Sequence, residues 1–456
     1  MKSFSILMIF RSLAMALGLV ALSVAPAAAQ TDCAVQGDIP AVECEALLNF
    51  FGGNGGALWT QRAGWNTSNS PCAWYGVTCA GGRVTELTLE DNNVRNELSP
   101  ALGDLTALTH LLLGDNGLEG PIPGELGQLT NLTELTLGSG GIDGPYPAEL
   151  GSLVNLRRLE LSGRFTETFP TQITDLTELR TLVLQAAMTG PIPAAIGNLV
   201  NLEVLNLNTT WFEGPIPAEI GNLTKLQELR IFQHFPKVTG PIPPEFGNLE
   251  SLRTLNFSGL ALGSPLPPEI GNLSNLEVMN IYRSQVTGPF PAEIGNLDRL
   301  EILELSRNYI YGELPAELGN LDAIQRIEMD HNSLFGLIPP EIANATTLMQ
   351  LDLSSNQLTG AIPPEIGSLP ELIVLWLKEN ELSGDIPNEI MNLEFGNHSL
   401  KLEQNCLTAT DPDLLAFLEL RNPDWQDGQC AELFDDYFES GDTSGWTGEM
   451  PPLPAP

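Results

Sequence analysis

Basic residues are scarce in this chain: 20 Lys and Arg stand against 57 Asp and Glu, for a formal charge of −37. A surface that negative repels nucleic acid and anionic membrane, which disfavours a polyanion-binding role. Histidines number four, His110, His234, His331 and His398, and they are scattered. No His-Glu-x-x-His or Gly-x-Ser-x-Gly motif occurs, so the chain is not expected to be an enzyme. His331 beside Asp330 reads as an exposed residue next to a solvated carboxylate. There is no Cys-x-x-Cys, and no histidine lies near the cysteines, which argues against zinc; no metal or cofactor is expected. After the first 29 residues no apolar run approaches the about 18 residues of a membrane span, so no membrane insertion is expected.

What is present begins with a leader. Lys2 and Arg11 flank a basic start, an apolar run follows from Leu13 to Val24, and Ala27-Ala28-Ala29 supplies small residues for cleavage before Gln30. That is the pattern of a secretory signal peptide, and losing Lys2 and Arg11 takes the charge from −37 to −39. The expected location is extracellular, at the periplasm or cell surface if not free. Six cysteines in an exported chain read as disulfides, and none falls between Cys79 and Cys406. Hydrophobic content of 43% suits a packed core rather than a disordered chain.

The space between the cysteine groups is a repeat. Leu-x-x-Leu-x-Leu starts fall at 84, 108, 132, 156, 179, 202, 226, 252, 276, 300, 324, 348, 372 and, degenerately, 397, with most intervals 24 residues. A fixed period of that size means a solenoid. In the unit 108–131, leucines at 108, 111 and 113 alternate like a short strand whose parallel stacking buries them. The Gly-Pro-Ile-Pro that follows cannot be regular helix, and Glu-Leu-Gly-x-Leu allows only a short helical or 3₁₀ turn.

The stretch Asn-x-Leu-x-Gly-x-Ile-Pro-x-x-Leu/Ile-Gly-x-Leu, as at Asn356 to Leu369, resembles plant-type leucine-rich repeats, found in receptor-kinase ectodomains and polygalacturonase-inhibiting proteins. Pro71-Cys72-Ala-Trp74-Tyr-Gly76-Val77-Thr-Cys79, with Trp59 and Trp65 upstream, is similar to that class's N-terminal cap. The resemblance implies an α/β leucine-rich-repeat solenoid, a horseshoe or right-handed superhelix. Its parallel β-sheet lies on the concave face and its short 3₁₀ turns on the convex side. The expected divisions are a signal peptide 1–29, an N-terminal disulfide cap 30–83, about 14 repeats over 84–405, a C-terminal disulfide cap 406–430 and an acidic, Pro-rich tail 431–456. Pairs Cys33–Cys44, Cys72–Cys79 and Cys406–Cys430 are expected, because each is local and matches its cap. The tail segment Phe-Glu-Ser-Gly-Asp-x-Ser-x-Trp is similar to one in exported bacterial proteins and, with the leader, points to a bacterial origin. The sequons at Asn66, Asn131, Asn208, Asn222, Asn256, Asn272, Asn344 and Asn397 would then stay bare.

Three residue columns remain. Asn at offset eight, expected to form a hydrogen-bonded ladder, is kept at Asn92, Asn116, Asn308, Asn332, Asn356, Asn380 and Asn405. Gly140, Arg164, Ala187, Thr210, His234, Leu260 and Ser284 stand there in repeats three to nine, whose buried amides must find other partners, water among them. Glu recurs after each repeat's Pro, as at Glu125, Glu293 and Glu317, where a first-turn carboxylate can accept orphan amides. The third column set is the inner face, at offsets two, four, six and seven, which holds Arg158, Arg230, Arg283, Arg307, Arg326, Lys378 and Lys401. Phe232, Tyr282 and Trp376 join them, with His331 between. Arg, Tyr and Trp carry most interface energy when desolvated. The reading is a monomeric, non-catalytic binding module. It would hold a protein or peptide through Arg230, Phe232, Tyr282, Arg283, Arg307, Arg326, His331 and Trp376, with a glycan or cell-wall surface as the alternative.

Overall fold

The computed structural model describes residues 30–430 apart from 166–167, 209–210 and 397–398. The leader, the tail, Thr210, Asn397 and His398 lie outside the described residues. From repeat to repeat the strands stack in parallel register, so that Leu229, Leu255, Met279, Leu303, Ile327, Leu351, Leu375 and Leu400 stand side by side. All eight are fully buried. In the unit from Leu108, the leucines at 108, 111, 113, 118, 126 and 129 are likewise inaccessible. Each contributes about 1.5–3 kcal/mol of burial, which is why a 24-residue unit with one short strand holds its place. Opposite the sheet, 3₁₀ turns such as Gly124–Gln128 and Ala316–Asn320 follow a proline N-cap. Their Leu-Gly dipeptide has a steric cause: a Cβ on Gly127 would sit 2.5 Å from the Glu149 carbonyl oxygen of the next turn.

A second parallel ladder, which the sequence reading did not foresee, runs between sheet and turns. Its strands include Thr287–Pro289, Tyr309–Gly312, Ser333–Gly336, Gln357–Gly360, Glu381–Asp385 and Cys406–Thr408. In repeats with the ladder Asn, one left-handed residue at offset seven (Asp115, Arg307, His331, Ser355, Glu379) turns the chain from the first sheet into the second. Asn356 shows how the turn is held: its Nδ2 donates to the Met329 and Leu353 carbonyls at 3.0 Å, and its Oδ1 accepts from Leu334 N at 3.0 Å.

The central repeats solve the same problem differently. In repeat three the strand Glu134–Asp143 runs straight through, pairing with Arg158–Arg164 on one sheet and with Gly117–Gly120 on the other. In repeats three and four the chain left without an Asn finds other partners along the sheet, such as Gly163 opposite Ala186. In repeat seven the sequence alignment placed His234 at the ladder position, but Gln233 fills it. Gln233 is buried, donates to the Phe212 carbonyl at 2.7 Å and accepts from Lys237 N and Val238 N. Its longer side chain spans the two extra residues of that repeat. Ser284 serves repeat nine through its hydroxyl, which donates to Phe257 O at 2.8 Å. Past Asn405 the series continues in Gln429, which accepts from Leu407 N at 2.7 Å.

Both ends are closed. Helix Ala41–Gly53 lies over the first repeat, and its buried Glu43 pairs with Arg83 and accepts from Val84 N at 2.9 Å. Trp65 packs between Trp59 and Trp74, with ring centroids 5.0 and 4.9 Å away. At the far end, helix Pro412–Arg421 buries Leu414 and Leu418 beside Trp425. Its N-cap Asp411 accepts from Asp413 N at 2.8 Å. The disulfides are Cys33–Cys44, Cys72–Cys79 and Cys406–Cys430, the expected pairs.

Candidate ligand-binding face

Parallel register fixes which side chains stand together on the concave sheet. The column at offset four reads Arg230, Asn256, Asn280, Glu304, Glu328, Asp352, Trp376, Lys401. Strands about 4.8 Å apart bring the carboxylates of Glu304, Glu328 and Asp352 into direct succession. Burial, and a hydrogen bond shared with Glu328, push the Glu304 carboxyl up to about 8. Burial raises Asp352 as well, against the amide of Ser354, which donates to it at 3.0 Å. This acidic column escaped the sequence reading, although its members recur at 24-residue intervals.

The eight residues singled out from the sequence do not form one set. Arg230 pairs with Glu228 at 2.8 Å, Arg326 with Glu328 at 3.6 Å, and His331 Nδ1 with Asp330 at 2.6 Å. Trp376 is covered by Lys401, whose Nζ stands 3.8 Å from the ring centroid. Nearby, Lys378 bonds Glu379 at 2.8 Å, which raises the lysine and lowers the glutamate. The charges of these groups are met locally, while the Trp376 Nε1 has no hydrogen-bond partner among the described residues.

The other four converge. Phe232, Tyr282, Arg283 and Arg307 line one concavity of about 260 Å³ together with His234 and Tyr309. The guanidinium groups of Arg283 and Arg307 have no ion pair or hydrogen bond among the described residues. Three sequence features shape this hollow. Repeat seven's extra residues raise His234 and Pro236 as a wall, with the Phe232 and His234 rings edge to face at 4.7 Å. Gly259, left-handed at offset seven, puts no side chain into the gap; a Cβ there would meet the Gln233 carbonyl at 2.0 Å. Arg283 and Arg307 occupy left-handed positions one repeat apart, at φ of +50° and +58°. The sequence reading missed His234 and Tyr309 as lining residues; the 26-residue interval at repeat seven was the available signal.

The convex glutamates look different from expectation. Glu125, Glu293 and Glu317 lie exposed in first turns, and no N-cap side-chain hydrogen bond holds those turns. The proposed acceptance of orphan amides is not seen; proline supplies the starting geometry instead. Among the described residues no helix is long and apolar enough to cross a membrane, and no group of three or more metal-ligating side chains occurs.

Known proteins match along most of this architecture. Residues 42–80 fit the leucine rich repeat N-terminal domain, 141–259 a leucine-rich repeat region, and 107–129, 299–321 and 347–369 single leucine rich repeats. A probable leucine-rich repeat receptor-like protein kinase of Arabidopsis thaliana is 41% identical over 70 residues, 14% of this chain and 9% of that one. The chain thus matches only a small part of the receptor kinase's length. The plant peptide hormone receptor RGFR1, solved in complex with RGF2, shares 29% identity over 77% of this chain and 67% of its own, with a TM-score of 0.57. A leucine-rich-repeat protein of Leptospira interrogans shares 31% identity over 75% of this chain and 83% of its own, with a TM-score of 0.61. On repeat, cap, fold and these likenesses together, the chain belongs to the leucine-rich-repeat family and is similar to receptor-kinase ectodomains.

Proposed function

We propose that this protein is an exported, non-catalytic recognition module that binds a peptide or protein on its concave sheet from repeat seven onward. The observation that carries the reading is the pair Arg283 and Arg307, two cations without partners among the described residues, beside Phe232 and Tyr282 in a strongly acidic chain. Unsatisfied guanidinium groups next to aromatic faces are what an interface desolvates on binding. The likeness to a plant peptide hormone receptor supports a peptide or protein as the ligand class. The leader pattern at 1–29 supports export, and the likeness to the Leptospira protein supports a bacterial setting.

The test is capture from the native secretome with the mature protein on beads, against a Tyr282→Ala/Arg307→Ala double variant. A peptide or protein retained by the first and lost by the second supports the reading. Retention by a glycan array with no proteinaceous ligand would replace it with carbohydrate recognition.

A further inference from the structure

The hollow at repeats seven to ten also carries information about what enters it. Basic side chains on the concave sheet are mostly neutralised locally: Arg158 pairs with Glu160 at 2.7 Å, and Arg230, Arg326 and Lys378 have carboxylate partners of their own. Lys401 lies over an indole. Arg283 and Arg307 are exceptions although acids outnumber bases 57 to 20. Their surroundings explain why. The offset-four side chains of repeats eight and nine are Asn256 and Asn280, neutral amides, and the carboxylate column begins at Glu304 in the repeat of Arg307 itself. Glu304 itself is turned to its own strand, accepting from Ser306 N at 2.8 Å. Asp330, whose carbonyl accepts from Arg307 N, spends its carboxylate on His331, so among the described residues neither arginine has a carboxylate partner.

The walls add a size and a shape. Phe232, Tyr282 and Tyr309 present ring surface, His234 and Gln285 present polar edges, and the hollow of about 260 Å³ accepts one side chain rather than a folded surface. A guanidinium fork pairs with a carboxylate bidentately, and two forks about one strand spacing apart can hold both of its oxygens.

We propose that this hollow is a recognition subsite for the acidic side chain, Asp or Glu, of a bound peptide, held between Arg283 and Arg307 with its stem against Tyr282 and Phe232. The inference rests on the peptide-binding reading above and names the ligand chemistry of the same face. Because the rest of the chain is so negative, such a ligand approaches against a repulsive field, and the subsite acts at contact distance, inside the about 8 Å screening length of physiological salt.

Two measurements test it on the mature protein. First, N-acetyl-glutamyl-amide and N-acetyl-glutaminyl-amide are titrated while the arginine side-chain Nε–H resonances are followed. Saturable shifts at Arg283 and Arg307 with the glutamyl probe, absent with the glutaminyl probe, are expected; equal responses, or none, overturn the subsite. Second, a library of N-acetylated, C-amidated heptapeptides is selected on wild type, on Arg283→Gln/Arg307→Gln, and on Arg253→Gln. The last removes one of the two charges at a lateral position paired with Glu277 and measures the contribution of net charge. Enrichment of Asp or Glu by wild type and Arg253→Gln, with about ten-fold or greater loss in the double variant at unchanged melting temperature, supports the subsite. Peptides selected without acidic residues, and bound equally by the double variant, overturn the subsite and leave peptide binding standing. Failure to select any peptide while the glutamyl probe still shifts both arginines overturns peptide binding and leaves the carboxylate subsite standing.

Discussion

Two stretches of one sheet differ in a way that backbone geometry does not explain. Repeats seven to ten and repeats eleven to thirteen share strand register and a leucine core. In the second stretch the concave side chains answer one another, Arg326 with Glu328, His331 with Asp330, Lys378 with Glu379. In the first, Arg283 and Arg307 share a hollow with the rings of Phe232, Tyr282 and Tyr309 and with Gln285. The lesson is that on a solenoid, charge alone does not mark a binding face. A charged side chain whose neighbours already pair with it has little left to offer a ligand, because exposed pairs contribute only about 0–1 kcal/mol and a ligand must first displace the partner.

The strongest expected effect probes the scaffold that both stretches share. Asn356→Ala removes one acceptor and one donor from buried backbone groups and should lower stability by about 3 kcal/mol in denaturant titration. Ser284→Ala, at the same offset in the first stretch, removes one hydroxyl and should cost about 1 kcal/mol. Equal losses would mean that the two turns are held in some other way. Next comes the ligand. Arg307→Ala should weaken binding by about 2 kcal/mol or more with little change in stability, because that side chain is exposed and has no ion pair among the described residues. Arg326→Ala, whose charge Glu328 already meets, should weaken it by under about 1 kcal/mol. Calorimetric titration of both variants would blur the comparison if the losses were alike.

A pH experiment follows. Glu304 holds its proton up to about 8 in the folded chain, against an ordinary value of 4.5. A raised folded value means that its favourable contribution is complete below about 4.5 and is lost as pH rises towards 8. Glu304→Gln should therefore flatten the fall in stability between those limits and be more stable than wild type at pH 8.5. An unchanged pH profile would refute the description of Glu304 and Glu328 as crowded carboxylates. The smallest effect belongs to the convex side: Glu317→Ala should shift stability by under about 0.5 kcal/mol, since the residue is exposed and caps nothing.

Much of this molecule was legible in its sequence. Leucines at offsets zero, three and five gave the strands and their burial, and the cysteine positions gave the disulfides, because both depend on local spacing. The second ladder was not legible, since strands such as Thr287–Pro289 and Gln357–Gly360 are too short for alternation to register. Nor was the replacement of the ladder Asn by Gln233. A two-residue insertion shifts the alignment by one, and only the longer side chain's reach shows which residue turns inward. Residue types on the concave face were readable, but their pairing was not. Arg326 meets Glu328 two residues along its own strand, whereas Arg307 has no ion pair among the described residues, and only the side-chain geometry separates the two.

The most direct test of the central claim compares two faces of the same repeat pair. A peptide or protein captured by the mature chain is titrated against Tyr282→Ala and Arg307→Ala on the concave side, and against Glu293→Ala and Glu317→Ala on the convex ridge. Loss of at least about 2 kcal/mol in each concave variant, with affinity within a few-fold in both ridge variants, is the predicted result. Loss of binding in the ridge variants with full affinity in the concave ones would contradict the assignment of the binding face.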